Sequence, residues 1–584
     1  MASSTTNGES ATTKPKLHGR AFYESIGSPK FVLAPMVDQS EFAWRMLTRS
    51  FMTPAENSKL LAYTPMFHAR LFEEAPKYRD SHFEATQLAP SASSAVVSNS
   101  VPTNSDQIPQ TIPFLDGNPT FDRPLFVQFC ANDPEHLLAA AKLAAPYCDA
   151  VDLNLGCPQG IARKGHYGAF LQEDQELIFK LINNLHKNLP IPVTAKIRIL
   201  ETKEETLAYA KNVLAAGASI ITVHGRRREQ KGHLTGVADW EYLRYLRENL
   251  PKETVIFANG NILQHGDIER CLEATGADAV MSAEGNLSDP AIFAEPPPPG
   301  QEGREYWRGK DGKGGYRVDA VFRRYMDIIH KHVLRHEPPT RRPLFIVGDD
   351  ETWLAEGQTQ DSEQEEGPAR KKRKKNDGGK NEKCTSPNLI SMRPHLFHLL
   401  RHFISKHTDI RDALARCRTG DVPAVEKVLD MVERRIAEGL IEYERTGGKS
   451  IEEPEPEPEQ KARESTTSVE ASTKEGAEDA DFDPESSVAT VKKCKRPWWI
   501  AQPIVRPLPK EALANGSISL GKKEKKKQDM AAKAVVEGDV NEANEKGSKG
   551  LEEELPKSDG VAGIKEPAMD PKRPTLAADE LVCG

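Results

Sequence analysis

Ten polar side chains stand where short apolar runs give way to loops: Asp38, Gln128, Asn154, Cys157, Lys196, Arg198, His224, Arg226, Asn259 and Glu284. The carboxyl ends of parallel strands are where α/β enzymes keep their working residues. Lys196 lies inside the run TAKIR, and a lone buried ammonium is costly without an anionic partner, so something anionic is expected inside. Lys196, His224, the triplet Asn259, Gly260 and Asn261, and Gly285 fall on the last four runs, a pattern that implies a phosphate-bearing cofactor. Cys157 stands between Gly156 and Pro158, in a loop with Asn154 and the basic pair Arg163 and Lys164, a setting for approaching a polyanion. Each residue also has a plainer reading. A strand-end histidine can be a satisfied structural one, and Cys157 a small buried hydrophobe, as expected for Cys130, Cys148 and Cys271. Arg163, Lys164, His166 and Arg226 can belong to a solvated charged face.

The elements that must position these residues are legible as eight β-branched apolar runs. They are FVLAPMV (31–37), LAYTPMF (61–67), PLFVQFC (124–130), AVDLNLGC (150–157), PVTAKIRI (192–199), SIITVHGR (219–226), TVIFANGN (254–261) and AVMSAEGN (279–286). Helical patterns at 133–145, 174–189, 203–216 and 265–275 separate them, two opening on an Asp N-cap, with Gly217 and Gly276 expected at positive φ where helix turns into strand. Alternation of this kind predicts a (β/α)₈ TIM barrel. An open doubly wound sheet is the competing architecture, but no G-x-G-x-x-G follows the first run. Three apolar stripes follow: Val321, Tyr325, Ile328 and Ile329; Leu396, Leu399, Leu400, Phe403 and Ile404; Val425, Val428, Leu429, Val432 and Ile436. The resulting domain plan is a disordered N-terminus (1–27), a barrel (28–315) with a disordered insertion near 81–120, and a small all-α domain (316–446) with another near 337–387. The rest, 447–584, reads as a mostly disordered tail.

At 584 residues the chain exceeds the roughly 250 to 300 at which one core stops growing. Its hydrophobic fraction of 38% and mean hydropathy of -0.58 fit a chain with extended polar segments. The net charge of -8 excludes a uniformly basic coat but not a basic face. Eight cysteines without CxxC pairs or histidine spacing argue against a disulfide framework and against a metal site. No run approaches the roughly 20 apolar residues of a membrane span, and no signal peptide is evident, so a soluble cytoplasmic and/or nuclear protein is expected. The basic runs at 371–375 and 522–527 read either as nuclear signals or RNA-binding tails, or as solvated charge.

The blocks APMVDQSEFAWR (34–45), VQFCANDP (127–134), DLNLGCPQGIARKGHYGAFL (152–171), AKIR (195–198), VHGR (223–226), NGNI (259–262) and MSAEGNL (281–287) closely resemble the tRNA-dihydrouridine synthases. The likeness is to their eukaryotic 16/17 type, and extends to the tail motif RPWWIAQPIVRP (496–507). It implies FMN held by Pro35, Met36, Val37, Gln128, Lys196, His224, Asn259, Gly260, Asn261, Ala283 and Glu284, with NADPH (or NADH) as reductant. Many bacterial relatives carry arginine where Glu284 stands, so the correspondence there rests on backbone contacts. Cys157 matches the catalytic acid, and Asn154, Arg163, Lys164, His166, Arg198 and Arg226 are implied tRNA contacts, with the all-α domain as a second grip on the RNA. The competing readings are an FMN barrel acting on a free pyrimidine and a non-catalytic RNA-binding barrel.

Overall fold

In a computed structural model of the chain, the structure describes residues 16–57, 59–89, 111–356, 384–451, 487–509 and 511. Each of the eight apolar runs yields one strand: β1 (Phe31–Leu33), β2 (Leu60–Tyr63), β3 (Leu125–Cys130), β4 (Ala150–Leu155), β5 (Val193–Arg198), β6 (Ile220–His224), β7 (Val255–Asn259) and β8 (Ala279–Ser282). Neighbours pair in parallel in chain order, and β8 returns to β1, so the sheet closes into a barrel. The short strand Phe67–His68 adds to the end of β3. β3 to β8 are buried along their whole length, because helices cover the outer face while side chains fill the inside. All the strands but β3 stop short of the ends of their apolar runs, and the leftover residues form the loops that carry the site.

The crossover helices fall where predicted. Asp133 and Asp174 cap Pro134–Ala144 and Gln175–Asn188 by accepting first-turn N–H groups. Thr202 and Glu205 form a reciprocal capping box on Lys203–Ala215. Gly276 ends Gly266–Thr275 at φ 68°, and Gly217 takes φ 112°, conformations that cost a residue without Cβ least.

The segments expected to be disordered need correction at four places. Within 1–27, Gly19–Ser25 is a helix with Phe22 and Tyr23 buried, and the Tyr23 hydroxyl bonds the carbonyls of Pro29 and Asp278 at the amino end of the barrel. Within 81–120, Thr86–Leu88 and Thr111–Pro113 pair as a hairpin, Phe83 and Leu115 are buried, and Asp116 joins Asp122 in an ion pair with the buried Arg45. Within 337–387, Leu344 and Phe345 are buried and the Phe345 carbonyl receives Arg317 Nη1 at 2.6 Å. In the tail, 487–509 packs on the fold through buried Trp499 and Ile500. The physical reason is common to all four: average composition hides single large apolar anchors set in polar surroundings. Residues 90–110, 357–383, 452–486 and 512–584, with both basic runs, lie outside the described residues.

All-α structure follows the barrel: Val318–Ile328, Pro387–Leu399, Arg401–Lys406, Thr408–Arg416 and Val422–Arg445. The three predicted stripes are its inward faces. Its core is continuous with that of the barrel, since Trp44 stacks on His395 at 4.0 Å and His395 Nε2 meets Glu41 at 2.9 Å, all buried.

Candidate active site

Strand register places the interior polar residues side by side. Asn154 lies opposite Lys196, and Lys196 opposite Thr222; Arg198, His224, Asn259 and Met281 form the next rung toward the carboxyl end. Alternation along each strand sends all of them to the barrel interior, and they are buried. One rung deeper, the Asp152 carboxylate accepts from Thr194 Oγ1 at 2.6 Å and from Gln128 Nε2 at 2.8 Å. Burial pushes the Asp152 carboxyl up to about 6, and the charge of Lys196 acts in the opposite direction. The anion expected beside Lys196 is therefore at least partly a side chain of the protein.

A chain of amides runs from Asp152 to Cys157. Gln128 Oε1 accepts Asn154 Nδ2 at 2.8 Å, and Asn154 Oδ1 accepts the backbone N–H groups of Gly156 and Cys157 at 3.1 and 2.9 Å. Arg198 Nε donates to the Gly156 carbonyl at 2.6 Å, bracing the same loop from the next strand. Gln128 of the implied cofactor set is engaged at both ends of its amide, by Asp152 and Asn154, and Asn154 and Arg198 of the implied tRNA contacts are buried where they brace the cysteine loop. Gly168, at φ 65°, lets the chain return against this loop, for a Cβ there would lie 2.8 Å from the Cys157 carbonyl oxygen. Cys157 itself is 2% exposed, packed with Cys130, Ala162 and Tyr167. Burial raises the Cys130, Cys148 and Cys271 thiols, which fits their expected role as small hydrophobes.

A cavity of about 970 Å³ opens over the carboxyl ends of the later strands. Asn259, Gly260, Asn261, Ala283 and Glu284 of the implied cofactor set line it, together with Arg198 and Arg226. Pro35 and Met36 are buried and Val37 half-buried where the chain leaves β1; these three, with Gln128, Lys196 and His224, lie off its wall. Arg226 is expected among the RNA contacts, but it faces this cavity. It donates to His224 Nε2 at 3.1 Å, to Asn261 Oδ1 at 3.0 Å and to the Gly236 carbonyl, so among the described residues it bonds only neutral acceptors. Burial, then Arg198, brings its guanidinium down to about 10. The His224 imidazole is held well below the usual histidine range by burial and by Arg198, Lys196 and Arg226, and is neutral at pH 7. A guanidinium only donates, so Nε2 accepts and the ring proton sits on Nδ1. Arg163, Lys164 and His166 are exposed on and just after the helix Gly160–Gly165.

Sequence reasoning did not single out Arg506, which joins the cavity wall from the tail. Its Nη2 and Nε donate to Glu284 Oε1 at 2.8 and 3.0 Å, and Ile504, Val505, Arg506 and Leu508 form one side of the cavity. The WW pair of its motif was the available signal, since two tryptophans in a polar tail must dock somewhere.

The residues present fit a phosphorylated flavin. Among the described residues no partner reaches His224 Nδ1 or Asn259 Oδ1, both buried, and no carboxylate bonds Arg226. Of the outer carboxylates of the wall, Glu201 pairs with Arg227, Glu241 with Lys203 and Asp267 with Arg270, while Asp239 caps the helix Trp240–Asn249. No metal-binding cluster and no helix long and apolar enough to cross a membrane occur among the described residues.

A closed (β/α)₈ barrel with a polar cavity at its strand ends defines an α/β barrel enzyme. The chain belongs to the dihydrouridine synthase family, whose model matches residues 32–306. It is 46% identical over 400 residues to tRNA-dihydrouridine(16/17) synthase [NAD(P)(+)] of Saccharomyces cerevisiae, covering 68% of this chain and 72% of that one. The Schizosaccharomyces pombe protein of the same name is 40% identical over 494 residues, covering 84% and 92%. A mouse protein with that name and the suffix "-like" is 41% identical over 321 residues, covering 54% and 55%.

Proposed function

We propose that the chain uses FMN and NADPH, or NADH, to reduce the C5=C6 bond of uridine in the tRNA D-loop, at positions 16 and 17. The names of its yeast relatives supply the substrate and the nicotinamide donor. The observation that carries the reading is the Cys157 loop, braced by Asn154 and Arg198 beside a cavity whose Arg226 bonds only neutral acceptors among the described residues.

FMN, once bound in the cavity, would supply the hydride for C6. Arg226, backed by His224, and the strand-end amides would hold its phosphorylated end, and Lys196 would supply positive charge to the cofactor. Cys157 gives a proton to C5 from the opposite face as a general acid. The target base must leave its stack, and the exposed Arg163, Lys164 and His166 grip the surrounding phosphates. The all-α segment provides a second grip, and the compartment is the cytoplasm, the nucleus or both.

The test is to purify the chain, identify the flavin it carries, and compare unmodified tRNA with free uracil as acceptor. Turnover of free uracil at the rate of tRNA would favour a pyrimidine dehydrogenase; absence of flavin would favour a non-catalytic barrel.

A further inference from the structure

Glu284 is a carboxylate on the wall of the proposed phosphate site, and alone it would repel the ligand. Arg506 meets it with two nitrogens on one oxygen, at 2.8 and 3.0 Å. This arginine comes from a segment far along the chain, and the segment is firmly placed. Trp499 is 1% exposed and its carbonyl accepts the Val318 N–H at 2.9 Å; the Ala501 N–H donates to the Tyr316 carbonyl at 2.9 Å. Ile500 fills the space beside Gly315, where a Cβ would lie 2.5 Å from its Cγ2. Trp498 packs on Phe403 and His407 of the all-α part, so the segment is fastened to both halves of the molecule. Arg506 therefore follows a docked segment toward the cavity. With Glu284 occupied by it, Arg226 keeps its positive charge unbalanced on the same wall.

We propose that Arg506 is a positioning residue of the cofactor site: by neutralising Glu284 it keeps the anion-binding pole around Arg226 open to a phosphate monoester. The inference rests on the FMN reading of the cavity. It assigns the C-terminal segment a part in cofactor affinity, separate from any contact with RNA. A carboxylate released from its arginine partner opposes a nearby dianion, so loss of Arg506 acts on the phosphate and not on the flavin ring.

The experiment strips flavin from the full-length protein and titrates it with FMN and with riboflavin, which lacks the phosphate, following flavin fluorescence. Arg506→Ala is expected to weaken FMN roughly 10- to 100-fold, the scale of one uncompensated carboxylate acting on a nearby dianion at intermediate dielectric, and to leave riboflavin unchanged. Arg506→Lys should recover part of the loss. Glu284→Ala combined with Arg506→Ala should bind FMN more tightly than Arg506→Ala alone, because the repelling carboxylate is gone. Unchanged FMN affinity in Arg506→Ala, an equal fall for both flavins, or a double variant as weak as the single one would overturn the assignment while leaving the FMN reading intact. Unmodified protein that binds neither flavin removes both.

Discussion

The backbone N–H of Cys157 donates to the side-chain oxygen of Asn154 at 2.9 Å, and the same oxygen also holds Gly156. This places Cys157, the proposed proton donor, on a loop whose geometry is set from inside the barrel. Asn154→Ala is expected to retain flavin but lower tRNA reduction roughly 10- to 100-fold, the scale of an ångström-sized misplacement. Flavin content and single-turnover rate measured on one preparation check it, and a wild-type rate would show that the loop holds its shape without Asn154.

Replacing Cys157 separates the two halves of the reaction. Cys157→Ala should leave flavin reduction by NADPH intact and slow dihydrouridine formation by roughly 10² or more, the contribution of a general acid. Stopped-flow absorbance followed by tRNA addition reads both steps.

Lys196 and Asp152 are coupled charges in the barrel interior. Lys196→Ala should deplete flavin and destabilise the fold at neutral pH, because a buried carboxylate loses part of its compensation. Adding Asp152→Asn should recover stability without recovering flavin; denaturant titration and absorbance together distinguish the two effects.

The pH dependence of stability carries the signature of Asp152. Its folded value of about 6 lies above the ordinary aspartate value of 3.8, so the folded state binds this proton more tightly than the unfolded chain. The stability gained is fully present below 3.8 and is lost as pH rises through 6. As pH falls from about 6 to about 4 the wild type should therefore gain on Asp152→Asn. Parallel stability curves for the two proteins across that window would refute the shift.

The exposed pair Arg163 and Lys164 should act through RNA alone. Reversing both to Glu is expected to leave flavin content unchanged, weaken tRNA binding, and reduce the slope of log affinity against log salt by roughly 0.7 to 0.9 for each phosphate no longer neutralised. An unaltered slope would place the pair outside the RNA footprint.

Much of the framework was readable because strand burial and crossover helices leave periodic marks. All eight strands, the Asp133 and Asp174 caps and the positive φ of Gly217 and Gly276 follow from local pattern. The neighbours that Gln128, Asn154 and Arg198 meet were not readable, since spacing along one strand does not show what a strand-end polar side chain touches on the next. Register does: Asn154 lies beside Lys196 and reaches Gln128 across β4 and β3. Arg506 escaped for another reason. Its partner Glu284 is 222 positions away, and no periodicity links a tail arginine to a barrel carboxylate.

The strand ring ends at Ser282, whereas one side of the cavity is built from residues 504–508. During synthesis the ring can therefore be complete on the ribosome while the cavity still lacks that side, and only passage of Arg506 through the exit tunnel finishes it. A message truncated anywhere between these points encodes a barrel with every strand in place and an open-sided cofactor cavity.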